Sequence, residues 1–277
     1  GWIIPIGGAE EKEDDPRILQ RFVDLCGGSR ANIAVIPTAS RLADTGTRYV
    51  RIFRELGAAE AHAVDFESRE DCADARKLAQ IKRATGIFLT GGNQLRITTL
   101  LGGTDVARAI RGQNAAGVHV AGTSAGASVL SEHMIAFGDE GSTPIAGSVR
   151  LAPGIGLTNR FIIDQHFRQR DRLGRLMMMV ASNPSLLGVG VDEDTAAIFT
   201  SDGCLEVLGK HSVTIIDAAD AYTDVYRVKR HGGITLSGAK IHVLTSGHIF
   251  DTVSRTLVGT PEIPSYDAAT EIVQQPV

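Results

Sequence analysis

Four short, mainly apolar runs constrain this chain most: residues 2 to 6, Asn32 to Ile36, Gly86 to Thr90 and Val118 to Ala121. A strand with one face in water alternates apolar and polar residues. These runs do not alternate, so both of their faces must be covered. Between them apolar residues recur at helical spacing, as in Ile18, Phe22 and Leu25, then Tyr49, Ile52, Phe53 and Leu56, then Ala75, Leu78 and Ile81, then Val106 and Ile110. Ala61 to Phe66 can supply a further strand. Strands and helices in this alternation predict a mainly parallel sheet with helices on both sides. Ligands collect at the carboxyl ends of such strands, so the loops after residues 6, 36, 90 and 121 should face one crevice.

The last of these runs ends in a corner, VHVAGTSAGASVLS at 118 to 131. Glycines two before and two after Ser124 leave room for a sharp strand-to-helix turn and for a substrate to approach. Such a turn suits a nucleophile, and an ordinary helix-capping serine reads the same way. A serine hydroxyl needs an imidazole to take its proton and a third group to orient that imidazole. Of the eight histidines, His166 has the best setting, beyond an apolar strand at 159 to 163 and beside Asp164 and Gln165. Glu193 ends another apolar run, with Asp192 and Asp164 as rivals for the third place. The order serine, histidine, acid differs from the serine, acid, histidine order of α/β-hydrolases, which points to another fold. The amide of Ala125 and that of Gly92, in the loop Gly91-Gly92-Asn93-Gln94, are the natural donors to an oxyanion.

The rest of the chain reads as one domain over 1 to 277, with a core over 1 to 200 and a β-rich extension over 201 to 277. Residues 138 to 158, rich in Gly, Ser, Thr and Pro, predict a long loop or lid. Residues 167 to 181 predict a single helix, Leu186 to Val191 a strand, and Thr195 to Phe199 its neighbour. Short β-type pieces follow at 205 to 208, 213 to 216, 225 to 228 and 240 to 244, and the final stretch from Pro261 is expected to wrap the surface.

A net charge of -4 and the absence of any long basic tract argue against a nucleic-acid partner. No run approaches eighteen apolar residues, which argues against a membrane span. Gly7-Gly8 lacks the further glycines of a dinucleotide site and the lysine of a P-loop, so no cofactor is called for. No clustered His/Cys set suggests a metal. Cys26, Cys72 and Cys204 lie far apart and read as free thiols of a reducing, cytoplasmic compartment, although a secreted protein without disulfides, its signal peptide removed, would look alike.

GGNQ at 91 to 94, GTSAGAS at 122 to 128, DQHF at 164 to 167 with arginines behind it, and VDED at 191 to 194 together resemble the cyanophycinases, of the serine peptidase family that also contains the aspartyl dipeptidases. The resemblance implies a class I glutamine-amidotransferase-like (flavodoxin-like) α/β/α sandwich with an antiparallel extension. It implies Ser124 as nucleophile, His166 as general base and Glu193 as third member. It also implies a substrate pocket of Gln94, Asp164, Gln165, Arg170, Arg172 and Arg175, with Asp164 or Asp192 available to a substrate guanidinium. The implied substrate is cyanophycin, a poly-aspartate whose side-chain carboxyls each carry an arginine, cut to β-Asp-Arg dipeptides by a homodimer. An α-aspartyl or isoaspartyl dipeptidase and a non-catalytic polymer-binding protein are the competing readings. A glutamine amidotransferase would carry cysteine at position 124.

Overall fold

The structure, a computed structural model, describes residues 1–261. The sequence reading of the stretch from Pro261 onward falls almost wholly outside them. The first half alternates as the apolar runs require: β1 (Ile3–Ile6), α1 (Arg17–Leu25), β2 (Asn32–Ile36), α2 (Thr45–Glu55), β3 (Glu60–Ala63), α3 (Ala75–Arg83), β4 (Gly86–Leu89), α4 (Gln94–Leu101), α5 (Asp105–Ala115) and β5 (His119–Thr123). There follow a single turn α6 (Ala125–Ser128), a hairpin β6 (His133–Gly138) and β7 (Val149–Pro153), then β8 (Phe161–Gln165), α7 (Leu173–Ser182), β9 (Leu187–Val191) and β10 (Thr195–Phe199). The remainder is β11 (Cys204–Gly209), β12 (Ser212–Asp217), β13 (Tyr222–Thr223), β14 (Leu236–Ser237), β15 (Lys240–Thr245), β16 (Ile249–Asp251) and β17 (Thr256–Gly259).

A nine-stranded sheet runs in the order β17-β16-β11-β10-β1-β5-β4-β2-β3. From β1 to β3 every pairing is parallel, and β10, β11, β16 and β17 extend the sheet antiparallel. The expected α/β architecture with an antiparallel extension is therefore present. Successive side chains of a strand point to opposite faces, and both faces here are dry. Ile33, Val35 and Phe88 pack with Phe22, Tyr49 and Phe53 of α1 and α2, whereas Ala34, Ile36, Ile87 and Leu89 pack with Ile97, Leu101, Val106 and Ile110 of α4 and α5. Phe88 meets Tyr49 and Phe53 at ring separations of 4.8 and 5.1 Å. Truncating such a buried ring to alanine costs about 3–5 kcal/mol.

Several local expectations are corrected. Thr195–Phe199 is not the neighbour of β9. It returns antiparallel to β1, while β9 lies in a second sheet of order β15-β12-β9-β8. Ile163, Val189 and Ile215 bury that sheet against the side of the first that carries α4 and α5, and its other face packs on Leu176 and Val180 of α7. Within the stretch 138–158 the loop is interrupted by β7, which pairs with β6 in a hairpin and buries Val149, so the residues between the two strands form the loop expected and the strand is the addition. The helix expected over 167–181 is broken at Asp171, whose φ is 44°, so a short turn at 168–170 precedes α7. Residues 225–228 form a turn, and α4 occupies a stretch for which no helix was expected. No helix among the described residues is long and apolar enough to cross a membrane.

Candidate active site

The corner after β5 is tight because two backbones touch there. A Cβ on Gly122 would collide with the carbonyl of Gly126, and one on Gly126 with that of Leu89. Ser124 itself holds φ 53° and ψ -113°, a region that costs a non-glycine residue about 1–3 kcal/mol. Its N–H is fixed on Ile6 O at 2.9 Å, which anchors the strained turn to β1. The side chain is thereby lifted clear of the sheet end.

Ser124 Oγ lies 2.8 Å from His166 Nε2, and His166 Nδ1 lies 2.6 Å from Glu193 Oε1. His166 and Glu193 follow the adjacent parallel strands β8 and β9, and the loop after β1 carries them to the serine. The His166 N–H donates to Gly7 O at 2.8 Å, the Asp194 N–H donates to Gly8 O at 2.9 Å, and Gly8 lies against the imidazole, where any Cβ would strike the ring. Of the rival acids, Asp192 accepts from Arg168 N at 3.0 Å and Ser212 Oγ at 2.8 Å, and Asp164 faces arginines. Burial pushes the His166 imidazole below its ordinary pKa, a shift Glu193 opposes and Arg170 and Arg172 reinforce. The ring is therefore neutral at neutral pH and able to accept a proton.

Gly92 and Ser124 border the same cavities. Gly92 has φ 140°, and a Cβ there would meet Ala39 O, so the loop after β4 fits only with glycine. Among the described residues neither the Gly92 nor the Ala125 N–H has an acceptor. Asn93 holds this loop in place, its N–H on Ala39 O at 2.9 Å and its Oδ1 accepting from Leu95 N at 2.9 Å to cap α4.

On one side of Ser124 a cavity of about 390 Å³ is lined by Gln94, Gln165, Arg170, Arg172 and Arg175 together with Ala136, Phe137 and Gly138. Asp164, expected in this pocket, lies beneath it. It accepts from Arg175 through both oxygens, one at 2.6 Å, and from Arg172 at 3.5 Å, so it clamps the arginines and is closed to a substrate guanidinium. Asp192 is likewise engaged within the protein. Removing one partner from such a buried ion cluster costs about 3–5 kcal/mol. Burial brings Arg172 down to about 10, which leaves it charged at neutral pH. Arg170 is exposed at the rim, Gln94 donates to Ala136 O at 3.0 Å, and Gln165 Oε1 is buried without a partner.

A larger cavity, of about 620 Å³, opens on the other side of Ser124. The loops after residues 6, 36, 90 and 121 converge there, as the parallel sheet requires. At its floor Glu10, 3% exposed, accepts from Thr123 Oγ1 and from Tyr49 Oη. Burial next to Glu10 pushes the Tyr49 hydroxyl well up, so it remains a donor. Glu10 opens the acidic run Glu10 to Asp15, and its buried hydrogen-bond partners Tyr49 and Thr123 are distant in sequence. Nothing local marks it as a buried residue.

A serine on a strained strand-to-helix corner, a neutral imidazole held between it and a carboxylate, and two nearby amides without acceptors among the described residues are the arrangement of a serine-type hydrolase on a parallel α/β sheet. A sequence model of peptidase family S51 matches residues 3–207, and the chain belongs to that family. It is 43% identical over 259 residues to "Cyanophycinase" of Trichormus variabilis, covering 92% of this chain and 87% of that one. It is 42% identical over 248 residues to "Cyanophycinase" of Geminocystis herdmanii, covering 88% and 91%. In fold it is similar to the crystal structure of a peptidase from an acI-B1 Actinobacterium, with TM-score 0.67 and 20% identity over 91% of this chain and 96% of the other.

Proposed function

We propose that this chain is a serine exopeptidase that hydrolyses cyanophycin to β-Asp-Arg dipeptides. The observation that carries the reading is the Ser124–His166–Glu193 alignment beside a cavity lined by three arginines. The names of its relatives favour this polymer over a dipeptide or a binding role without chemistry. His166 Nε2 takes the Ser124 proton as Oγ bonds to an aspartyl carbonyl carbon. The Gly92 and Ala125 amides hold the oxyanion, and Glu193 keeps the imidazole oriented. The C–N bond then breaks as His166 returns the proton to the amine, and water releases the acyl group by the same path. Arg170, Arg172 and Arg175 offer carboxylates a positive wall, and Gln165 Oε1 offers a substrate N–H an acceptor.

The same reading takes residues 1–277 as one catalytic domain, working as a cytoplasmic homodimer. The unpaired Cys26, Cys72 and Cys204 fit a reducing compartment, and the exposed apolar Ile241 and Val243 on edge strand β15 fit a partner surface. Incubation with purified cyanophycin should release β-Asp-Arg, and a serine-directed fluorophosphonate should label Ser124. Hydrolysis of Asp-X dipeptides with the polymer left intact would overturn the proposal.

A further inference from the structure

The arginine cavity accounts for only one side of Ser124. Gly92, Asn93 and Ser124 border both cavities, whereas His166 borders only the larger one. That asymmetry orders the substrate. The proton His166 takes from Ser124 must go to the departing nitrogen, and a general acid acts only within about 3 Å of its acceptor. The departing amine therefore lies on the His166 side, and the unit attached to it extends into the cavity of Glu10, Arg41, Asp44 and Arg48. The acyl half is left to the arginine cavity.

The rim of the larger cavity carries a second observation. Among the described residues the side chains of Arg41, Asp44 and Arg48 make no hydrogen bond or ion pair, although all three line the opening. Farther along α2 the arginines are engaged, Arg51 with Glu55 at 3.7 Å and Arg54 with Ala61 O at 3.0 Å. Glu10 is already taken by Tyr49, Thr123 and Lys12. The rim is held in place rather than loose. Ser40 Oγ bonds Thr45 Oγ1 at 2.7 Å, and Ala39 O takes the Asn93 N–H, which ties this loop to the one bearing Gly92.

We propose that this cavity is the leaving-unit subsite, selective for a departing unit that carries both a guanidinium and free carboxylates. Arg41 and Arg48 receive the carboxylates, and Asp44 receives the guanidinium. The inference rests on the cyanophycin reading. A β-linked Asp-Arg unit at a chain end bears two carboxylates and one guanidinium, the opposite of two arginines and one aspartate in sign and equal in number.

The test compares two substrates that share an acyl unit. One is a pair of β-Asp-Arg units joined by an aspartyl peptide bond. The other is a single β-Asp-Arg unit whose aspartyl α-carboxyl is a methyl ester, so that only methanol departs. In the double variant Arg41→Ala/Arg48→Ala the ratio of peptide to ester kcat/KM should fall about tenfold, the scale of one lost charged hydrogen bond. An equal fall on both substrates, or an unchanged ratio, overturns the proposal. Asp44→Asn should lower the same ratio for a departing arginine unit and spare one in which citrulline replaces that arginine. Equal effects on both would remove Asp44 from the subsite. If the unmodified protein turns over neither substrate, the cyanophycin reading itself fails, a result distinct from any variant effect.

Discussion

The two sheets contribute different halves of the proposed chemistry. The nine-stranded sheet presents Ser124, Gly92 and Ala125 at or just beyond its parallel strand ends, the groups that bond to the substrate's carbon and oxygen. The four-stranded sheet presents His166 and Glu193, the groups that move the proton. Their buried faces share one core through residues such as Ile163, Val189 and Ile215, and at the site they meet in the Ser124–His166 contact at 2.8 Å and two backbone hydrogen bonds to Gly7 and Gly8. In the proposed mechanism bond-making and proton-moving thus fall to different sheets, and damage to one should leave the other's contribution measurable.

Cutting the Ser124–His166 contact itself should do the most harm. Ser124→Ala and His166→Ala are each expected to lower kcat on cyanophycin about 10⁶-fold, with the double variant no worse, because the two act through one shared bond. Release of β-Asp-Arg measures this, and a double loss equal to the product of the single ones would break the picture. On the proton-moving side, Glu193→Gln leaves the imidazole without an anionic partner. Glu193 is 33% exposed, so solvent replaces part of its effect, and a loss of roughly 10³–10⁴-fold in kcat is expected. On the bond-making side, Gly92→Ala forces a Cβ against Ala39 O and displaces one oxyanion donor, for about 10²–10³-fold in kcat. Combining it with Glu193→Gln sharpens the comparison. Changes on the two sheets should multiply, and a combined loss smaller than the product would show that the two sheets do not act separately.

The smallest effect is a displacement in pH. With His166 as the proposed general base, turnover needs its neutral form, and burial depresses its pKa, so the acid limb of kcat/KM should lie below the ordinary histidine value of about 6.5. Glu193 raises that pKa, so Glu193→Gln should move the limb to still lower pH. A limb that moves upward would contradict the pairing. Stability follows the same sign. A depressed folded-state pKa contributes stability that is present above the unfolded value and lost as pH falls through the folded one.

Much of the main sheet was legible because dry strands leave unbroken apolar runs and helices a 3.6-residue period. Ser124, His166 and Glu193 each follow closely on such a run, which made them readable as strand-end residues. The run at 187–191 showed a buried strand but could not show which sheet it joins. The crossing back to β10 is made by Asp192, Glu193 and Asp194, and the left-handed turn at Asp194 has no glycine to announce it. The hairpin at 133–153 was hidden by glycine, serine and threonine in its connection. The resemblance put Asp164 in the pocket, yet the fold places Arg175 against it. Ile97 and Leu101, four apart and both fully buried, carry the helical spacing of α4, a pair too short to announce a helix in the sequence. Glu10 carried no mark of its burial, since its role is set by Tyr49 and Thr123.

The strained backbone at Ser124 sets activity against thermal resilience. At φ 53° and ψ -113° a glycine would rest where serine is forced. Ser124→Gly removes the proposed nucleophile and the strain together. Set against the greater freedom glycine gives the unfolded chain, the variant should gain up to about 1 kcal/mol. The position proposed to carry the nucleophile is thus one where the protein gives up heat tolerance to keep a serine.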